Sequence, residues 1–313
     1  MDNRPADEFA PASVATRILA THGKTFYWAS FFLSREKAEA ASLLYAGCRM
    51  LDDIADVTAD DQGSTTDLLQ SIKRQIGTRD VVDTHPVSSL FIRLIDRYGI
   101  DPVVVNDLLE GLIQDTRGVA LTSQQALESY CYRVAGTVGI MMCSILGVHQ
   151  RAAMPFAIDL GIAMQLTNIA RDVLEDAKLG RRYLPFSEPA TSIVRAADST
   201  KQQVAQVIAQ QLRIAESFYE SGISGIAYLP RGSRVGIYLA ATLYRAIGRK
   251  LKRNAYRWWL GRTVVSKTHK CAITVLALPK LVMLLCRRDA PPLIGHCTEL
   301  HQNLAALPYV DRQ

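Results

Sequence analysis

The stretch from Gly161 to Pro185, GIAMQLTNIARDVLEDAKLGRRYLP, carries the residues best suited to do chemistry. Its apolar spacing predicts a helix on which Gln165, Asn168, Asp172 and Asp176 fall three or four residues apart and so share a face. Arg171 and Glu175 stand to one side of that face. Ile162, Leu166, Ile169 and Val173 form the other flank, suited to a core or to the wall of a cavity. A row of acceptor oxygens on a mostly apolar helix is costly to bury unless a cation meets it. Hard oxygen ligands suit magnesium, which keeps several waters and shares a phosphate with its carboxylates. A second acidic cluster, Asp52, Asp53 and Asp56, lies in YAGCRMLDDIAD. Asp52 and Asp56 are one turn apart, on the face that carries Tyr45 and Arg49. Either cluster alone reads equally as a solvated helix face with ordinary salt bridges. Two such helices facing each other would form a cage, with carboxylates for metal on both walls and arginines between them for phosphate oxygens.

Four blocks make the chain resemble the squalene and phytoene synthase family, the head-to-head prenyl transferases. They are HGKTFYWAS at His22 to Ser30, similar to the family's HSKSF motif; YAGCRMLDDIAD at Tyr45 to Asp56; YCYRVAGTVG at Tyr130 to Gly139; and the QxxNxxRDxxED core with its RxYxP tail at Arg181, Tyr183 and Pro185. Residues 233 to 270 fit more loosely. The resemblance implies an all-α, single-domain bundle of the isoprenoid-synthase type around a central cavity, and no alternating strand pattern competes with it. It implies magnesium, with manganese as the substitute, on Asp52, Asp56, Asn168 and Asp172, supported by Asp53 and Asp176. The catalytic set it implies is Asp52, Asp56, Asp172, Asp176, Arg171 and Tyr130, the last facing the reacting carbons. Substrate contacts fall to His22, Gly23, Lys24, Thr25, Phe26, Tyr45, Arg49, Gln165, Arg171, Arg181 and Tyr244. Gly23 departs from the family's serine, which removes a hydroxyl and leaves only its backbone N–H.

In the family, an allylic diphosphate ionises as its leaving charge is neutralised. The cation is attacked by the 2,3-double bond of a second prenyl diphosphate, giving a cyclopropyl diphosphate. A second ionisation and rearrangement yields the 1-1′ linked hydrocarbon. Phytoene synthases finish by losing a proton; squalene synthases take hydride from NADPH. The DDIAD form goes with bacterial and plant phytoene-type enzymes, and no GxGxxG fingerprint is present. The expectation is therefore two geranylgeranyl diphosphates joined through prephytoene diphosphate to phytoene, a step of carotenoid biosynthesis, without NADPH. The alternative is a C30 squalene or dehydrosqualene synthase using farnesyl diphosphate. A head-to-tail prenyl transferase or terpene cyclase would share the fold but not the NxxRDxxED block. A non-catalytic relative would not keep every carboxylate.

The elements that must position these residues are helical. The 313 residues, 49% hydrophobic, suffice for one large core, and no Pro/Gly/Ser-rich linker divides them. The expected boundaries are a flexible terminus over 1–13, a helical domain over 14–288 and a C-terminal tail over 289–313. The six cysteines form no CxxC pair and read as reduced core thiols of a cytoplasmic protein. The six histidines show no zincin spacing, and no zinc site is expected. Pro86 and Pro102 open helices at their first turns. On the second of these, Asp107, Glu110 and Asp115 read as a solvated face with weak surface ion pairs. Thr122 suits an N-cap, with Gln125 as its capping-box partner. The small run Ala135, Gly136 and Gly139 marks a close approach, either of another helix or of a flat ligand.

From Leu229 a helix turns strongly basic. Between Arg245 and Lys270 there is no acidic residue, and Trp258 and Trp259 lie among the basic ones. The next apolar run, Cys271 to Cys286, reads as too short to span a bilayer and as broken by Pro279 and Lys280. Either an interfacial attachment to a membrane or a last core helix fits it. The net charge of +6 suits an anionic membrane surface or a diphosphate substrate. No nucleic-acid motif accompanies it, and no nucleic acid is expected as a partner.

Overall fold

A computed structural model describes residues 12–56, 62–79, 84–286 and 295–310. Of the flexible terminus expected over 1–13, the first eleven residues lie outside them, whereas Ala12 and Ser13 begin the first helix. Thirteen α-helices form among the described residues, and no strand does. They are α1 (Ala12–His22), α2 (Lys24–Ser30), α3 (Arg35–Ala55), α4 (Gln62–Thr78), α5 (Pro86–Tyr98), α6 (Pro102–Thr116), α7 (Gln124–Cys131), α8 (Thr137–Leu146), α9 (Met154–Lys178), α10 (Ala190–Arg195), α11 (Asp198–Ser224), α12 (Arg231–Arg253) and α13 (Lys267–Cys286). A π-helical turn, Tyr132–Gly136, joins α7 to α8.

Local chemistry starts the helices where expected, with one shift. Asp101 accepts from the Val103 N–H at 2.9 Å ahead of Pro102, and His85 caps the turn that Pro86 opens. The cap of α7 is Ser123 rather than Thr122: its Oγ accepts from Ala126 N–H at 3.1 Å. The helix α9 runs through the bundle, packed against α8, α11 and α12. Its flank of Ile162, Leu166, Ile169 and Val173 is buried, as the spacing requires. Two glycines set how closely its neighbours approach. A Cβ on Gly139 would stand 2.3 Å from the Ala157 carbonyl oxygen, and one on Gly161 2.3 Å from that of Ala135. The small-residue run therefore serves helix packing, and the π turn, a feature frequent near functional sites, lies just ahead of Gly139.

The C-terminal half departs from the sequence expectations in four ways. The basic helix ends at Arg253, where Ala255 and Tyr256 take positive φ, and Trp258 is buried with its indole N–H donating to the Lys201 carbonyl. The run after Cys271 is not broken: α13 is a continuous twenty-residue helix through Pro279, long and apolar enough by length and composition to cross a membrane. Residues 295–310 are not a separate tail. Asn303 bonds Glu128, Tyr132 bonds the Pro308 carbonyl and Tyr309 bonds Asp101, at 2.8, 2.7 and 2.7 Å. Positions 289–294 and 311–313 lie outside the described residues. Of the six cysteines, Cys131 and Cys143 are buried and Cys48 half-buried, but Cys271, Cys286 and Cys297 are exposed, so only the first three behave as core thiols.

Candidate active site

The helices α3 and α9 both pack on α8, and Arg181 and Asp115 link their acidic ends into one cluster, the acidic mouth. Arg181, in the turn after α9, ties them together: its guanidinium donates to Asp56 Oδ1 at 2.5 Å and to the Ala55 carbonyl at 2.9 Å, both on α3. Asp115 at the end of α6 stands between them. It is 7% exposed, and it accepts from the Tyr130 hydroxyl at 2.8 Å and the Tyr183 hydroxyl at 3.0 Å. Those two rings stack at 4.8 Å. Asp115 feels Asp52 and Asp56 on one side and Asp176 on the other. The expectation of a solvated face thus fails for Asp115, although Glu110 does pair with Lys73 at the surface. Helical spacing showed only that Asp115 was acidic; the packing of α6 beneath the two acidic helices buried it.

Charge is in excess here. Burial, reinforced by neighbouring carboxylates, pushes Asp52 up to about 7, Asp115 to about 6 and Asp176 to about 8. The arginines meet the acids unevenly. Arg171 grips Asp172 through two bonds of 2.7 and 2.5 Å, and Arg262 reaches the same carboxylate at 3.0 Å. Arg49 pairs with Asp53, which is exposed and turned toward that arginine. Asn168 donates to Gln165 Oε1 at 3.3 Å, but its own Oδ1 is buried with no hydrogen-bond donor, as is Glu175 Oε2. Orphaned acceptors beside carboxyls driven toward protonation are a donor set suited to a cation.

The HGKTFYWAS block comes to the same place. Phe26 on α2 lies 4.9 Å from the Tyr244 ring and 6.2 Å from Tyr45. Tyr244 is buried within reach of Arg171, Asp172 and Arg262. Gly23 lies under Tyr45: a Cβ would stand 2.8 Å from the ring, which accounts for glycine at this position, and its N–H is spent on the Leu19 carbonyl at 2.8 Å. The free backbone donor expected at Gly23 is therefore not available. His22 and Lys24 are exposed, and Thr25 is half-buried. Lys270, at the start of α13, is buried near Lys24; burial first, and the second ammonium next, depress its pKa. Spacing along a helix could not single out Arg262 or Lys270, although both lie in the acid-free basic run. One turn before Asp52 and Asn168 stand Cys48 and Met164, half-buried apolar side chains that continue the acidic faces into the bundle. A cleft of about 220 Å³ lies elsewhere, between α11 and α12 on the far flank of α9.

Residues 19–269 match the family model described as squalene/phytoene synthase. The chain is 32% identical over 280 residues to 15-cis-phytoene synthase of Enterobacter agglomerans, covering 86% of this chain and 95% of that protein. It is 31% identical over 306 residues to phytoene synthase 1, chloroplastic, of Zea mays, covering 91% of this chain and 74% of that one. A dehydrosqualene synthase solved in complex with ligand superposes with a TM-score of 0.72 at 26% identity, over 87% of this chain and 96% of its own. On these matches the chain belongs to the squalene/phytoene synthase family.

Proposed function

We propose that the protein is a phytoene synthase, joining two geranylgeranyl diphosphates head to head through prephytoene diphosphate and forming phytoene without NADPH. One observation carries the reading: carboxylates from α3, α6 and α9 converge on a single mouth, laced by Arg171, Arg181 and Arg262. The likeness to bacterial and plant phytoene synthases favours the C40 product over the C30 alternative. Asp52, Asp56, Asn168, Asp172 and Asp176 would hold magnesium, for which manganese would substitute; the orphaned Asn168 Oδ1 and the lifted carboxyls fit that role. Bound divalent ions would neutralise the charge that develops on the leaving diphosphate.

The chain's own residues do the rest. Arg49, Arg171 and Arg262 are paired with carboxylates here, and each offers further N–H groups to phosphate oxygens. Lys24 and Lys270 bring two ammonium groups near each other, an arrangement that an anion relieves. The rings of Phe26, Tyr45 and Tyr244 exclude water beside the leaving group and turn π-density toward an allylic cation. Tyr130 and Tyr183 hold Asp115 from below. The test is purified protein with magnesium, offered each prenyl diphosphate with and without NADPH. A C40 hydrocarbon from geranylgeranyl diphosphate without NADPH is expected. A C30 product alone, from farnesyl diphosphate, would overturn the chain length.

The same reading includes peripheral attachment at the cytoplasmic face of a membrane. One face of α13 packs on α12 through Ala277 and Leu281. The other presents Val275, Leu276 and Val282 at 61, 81 and 58% exposure, and Phe31 at the end of α2 stands 64% exposed. Trp28 of α2 bonds Thr274 of α13 at 3.2 Å. With one face packed, α13 suits a helix lying in the interface rather than a span. Exposed Lys267 and Lys280 add positive charge, whereas buried Trp258 makes no contribution. Sedimentation with anionic vesicles is expected to fall for Leu276→Asp combined with Val282→Asp; unchanged binding would remove α13 from this role.

A further inference from the structure

Remote from the acidic mouth, Asp159 lies near the other end of α9 and is fully buried. His296 and His301, brought from the C-terminal segment, place Nε2 atoms 2.9 Å from its Oδ2 and Oδ1 respectively. Their side chains are 3% and 0% exposed. The imidazole rings stand 4.4 Å apart, and the edge of Phe156 closes one side at 5.3 Å from His296. Ser221 on α11 donates its hydroxyl to Asp159 Oδ2 at 2.5 Å. One ligand atom from each of Asp159, His296 and His301 lies within 4.8 Å of the others.

We infer that Asp159, His296 and His301 form a structural site for a divalent transition ion of the zinc type. Two imidazole nitrogens and one carboxylate oxygen are a donor set such an ion takes, with a water or Ser221 Oγ as the fourth partner. A buried carboxylate is costly without a positive partner, and a divalent ion is a partner that also accepts a lone pair from each ring. Zinc–nitrogen bonds are about 2.0–2.1 Å long, so small side-chain rotations would bring the three atoms into one coordination sphere. The bound ion would staple residues 295–310 across α9 and α11. Histidine spacing gave no zinc site, because the third ligand stands 137 residues away from the first histidine.

The test uses the full-length, tag-free protein in excess magnesium, incubated with equimolar zinc and passed through gel filtration. About one zinc per chain is expected to be retained. Retention should fall about tenfold in His296→Ala and in His301→Ala and stay unchanged in Asp172→Ala. Wild-type protein that retains none, or histidine variants that retain as much zinc as wild type, overturns the site. Should those variants fail to fold, cobalt(II) added to wild-type protein decides: the intense visible bands of a four-coordinate ion support the site, and only weak six-coordinate bands overturn it. The measured quantity is bound metal, so loss of hydrocarbon synthesis would leave this inference untouched.

Discussion

Asp159 and Asp176 sit near opposite ends of the same helix, both largely withdrawn from water, and they are treated in opposite ways. Around Asp176, burial is compounded by Asp172, Asp115 and Glu175, with Arg181 the only opposing charge among its main influences, and the carboxyl is pushed up to about 8. Around Asp159, burial also favours the neutral form, but bonds from His296 and His301 outweigh it and hold the carboxyl below its ordinary range. The same side chain on one scaffold thus serves two ends. Where negative charge outruns its partners, the fold keeps a standing demand for a cation, as a diphosphate site needs. Where every oxygen is met, the carboxylate pins a segment in place. The mouth gives up stability for binding; the clamp contributes stability even in metal-free protein.

The contrast breaks most visibly in catalysis. Asp52→Ala or Asp172→Ala is expected to cut hydrocarbon formation by about 10³-fold or more, with helix content by circular dichroism unchanged. Turnover that survives would remove the residue from metal binding.

Stability comes next. Asp159→Ala removes the acceptor for two rings and a hydroxyl and is expected to cost about 3 kcal/mol in urea unfolding. Asp176→Asn relieves repulsion and should stabilise metal-free protein by about 1 kcal/mol while losing activity. A destabilised Asp176→Asn would erase the distinction between the two regions.

The pH dependence sharpens the same contrast. The raised carboxyls of Asp52 and Asp176 contribute stability that is fully present below the unfolded value near 4, and it is lost as pH rises through about 7 and 8. Asp159, held low, contributes stability that is present above about 4 and lost as pH falls through its folded value. Denaturation of metal-free protein across this range should therefore show a smaller alkaline decline in Asp176→Asn, where Asp52 still contributes, and a smaller acid decline in Asp159→Asn. Identical profiles for the two variants would contradict the opposite shifts.

The smallest effect is at Gly23. Gly23→Ser restores the family's residue but sets a Cβ 2.8 Å from both Leu19 and Tyr45, so the ring must shift. An increase of about fivefold in KM for the prenyl diphosphate, with kcat nearly unchanged, is expected from steady-state kinetics. An unchanged KM would mean that the Tyr45 ring does not contribute to binding.

Much of the mouth was legible from spacing. Asn168, Asp172 and Asp176 share a face because a helix repeats every 3.6 residues, and Asp52 and Asp56 follow the same rule on α3. The flank of α9 was equally legible, since burial follows apolar periodicity. The sequence by itself therefore determined the helices, their acidic faces and the family. Only the tertiary structure decided that Asp115 belongs with those acids, that Arg262 reaches Asp172, that Trp258 is core while Leu276 is not, and that His296 and His301 close on Asp159. The physical reason is range. Periodicity reports which residues share a face of one element, whereas burial and Coulomb coupling depend on which elements pack together, and that leaves no fixed spacing along the chain.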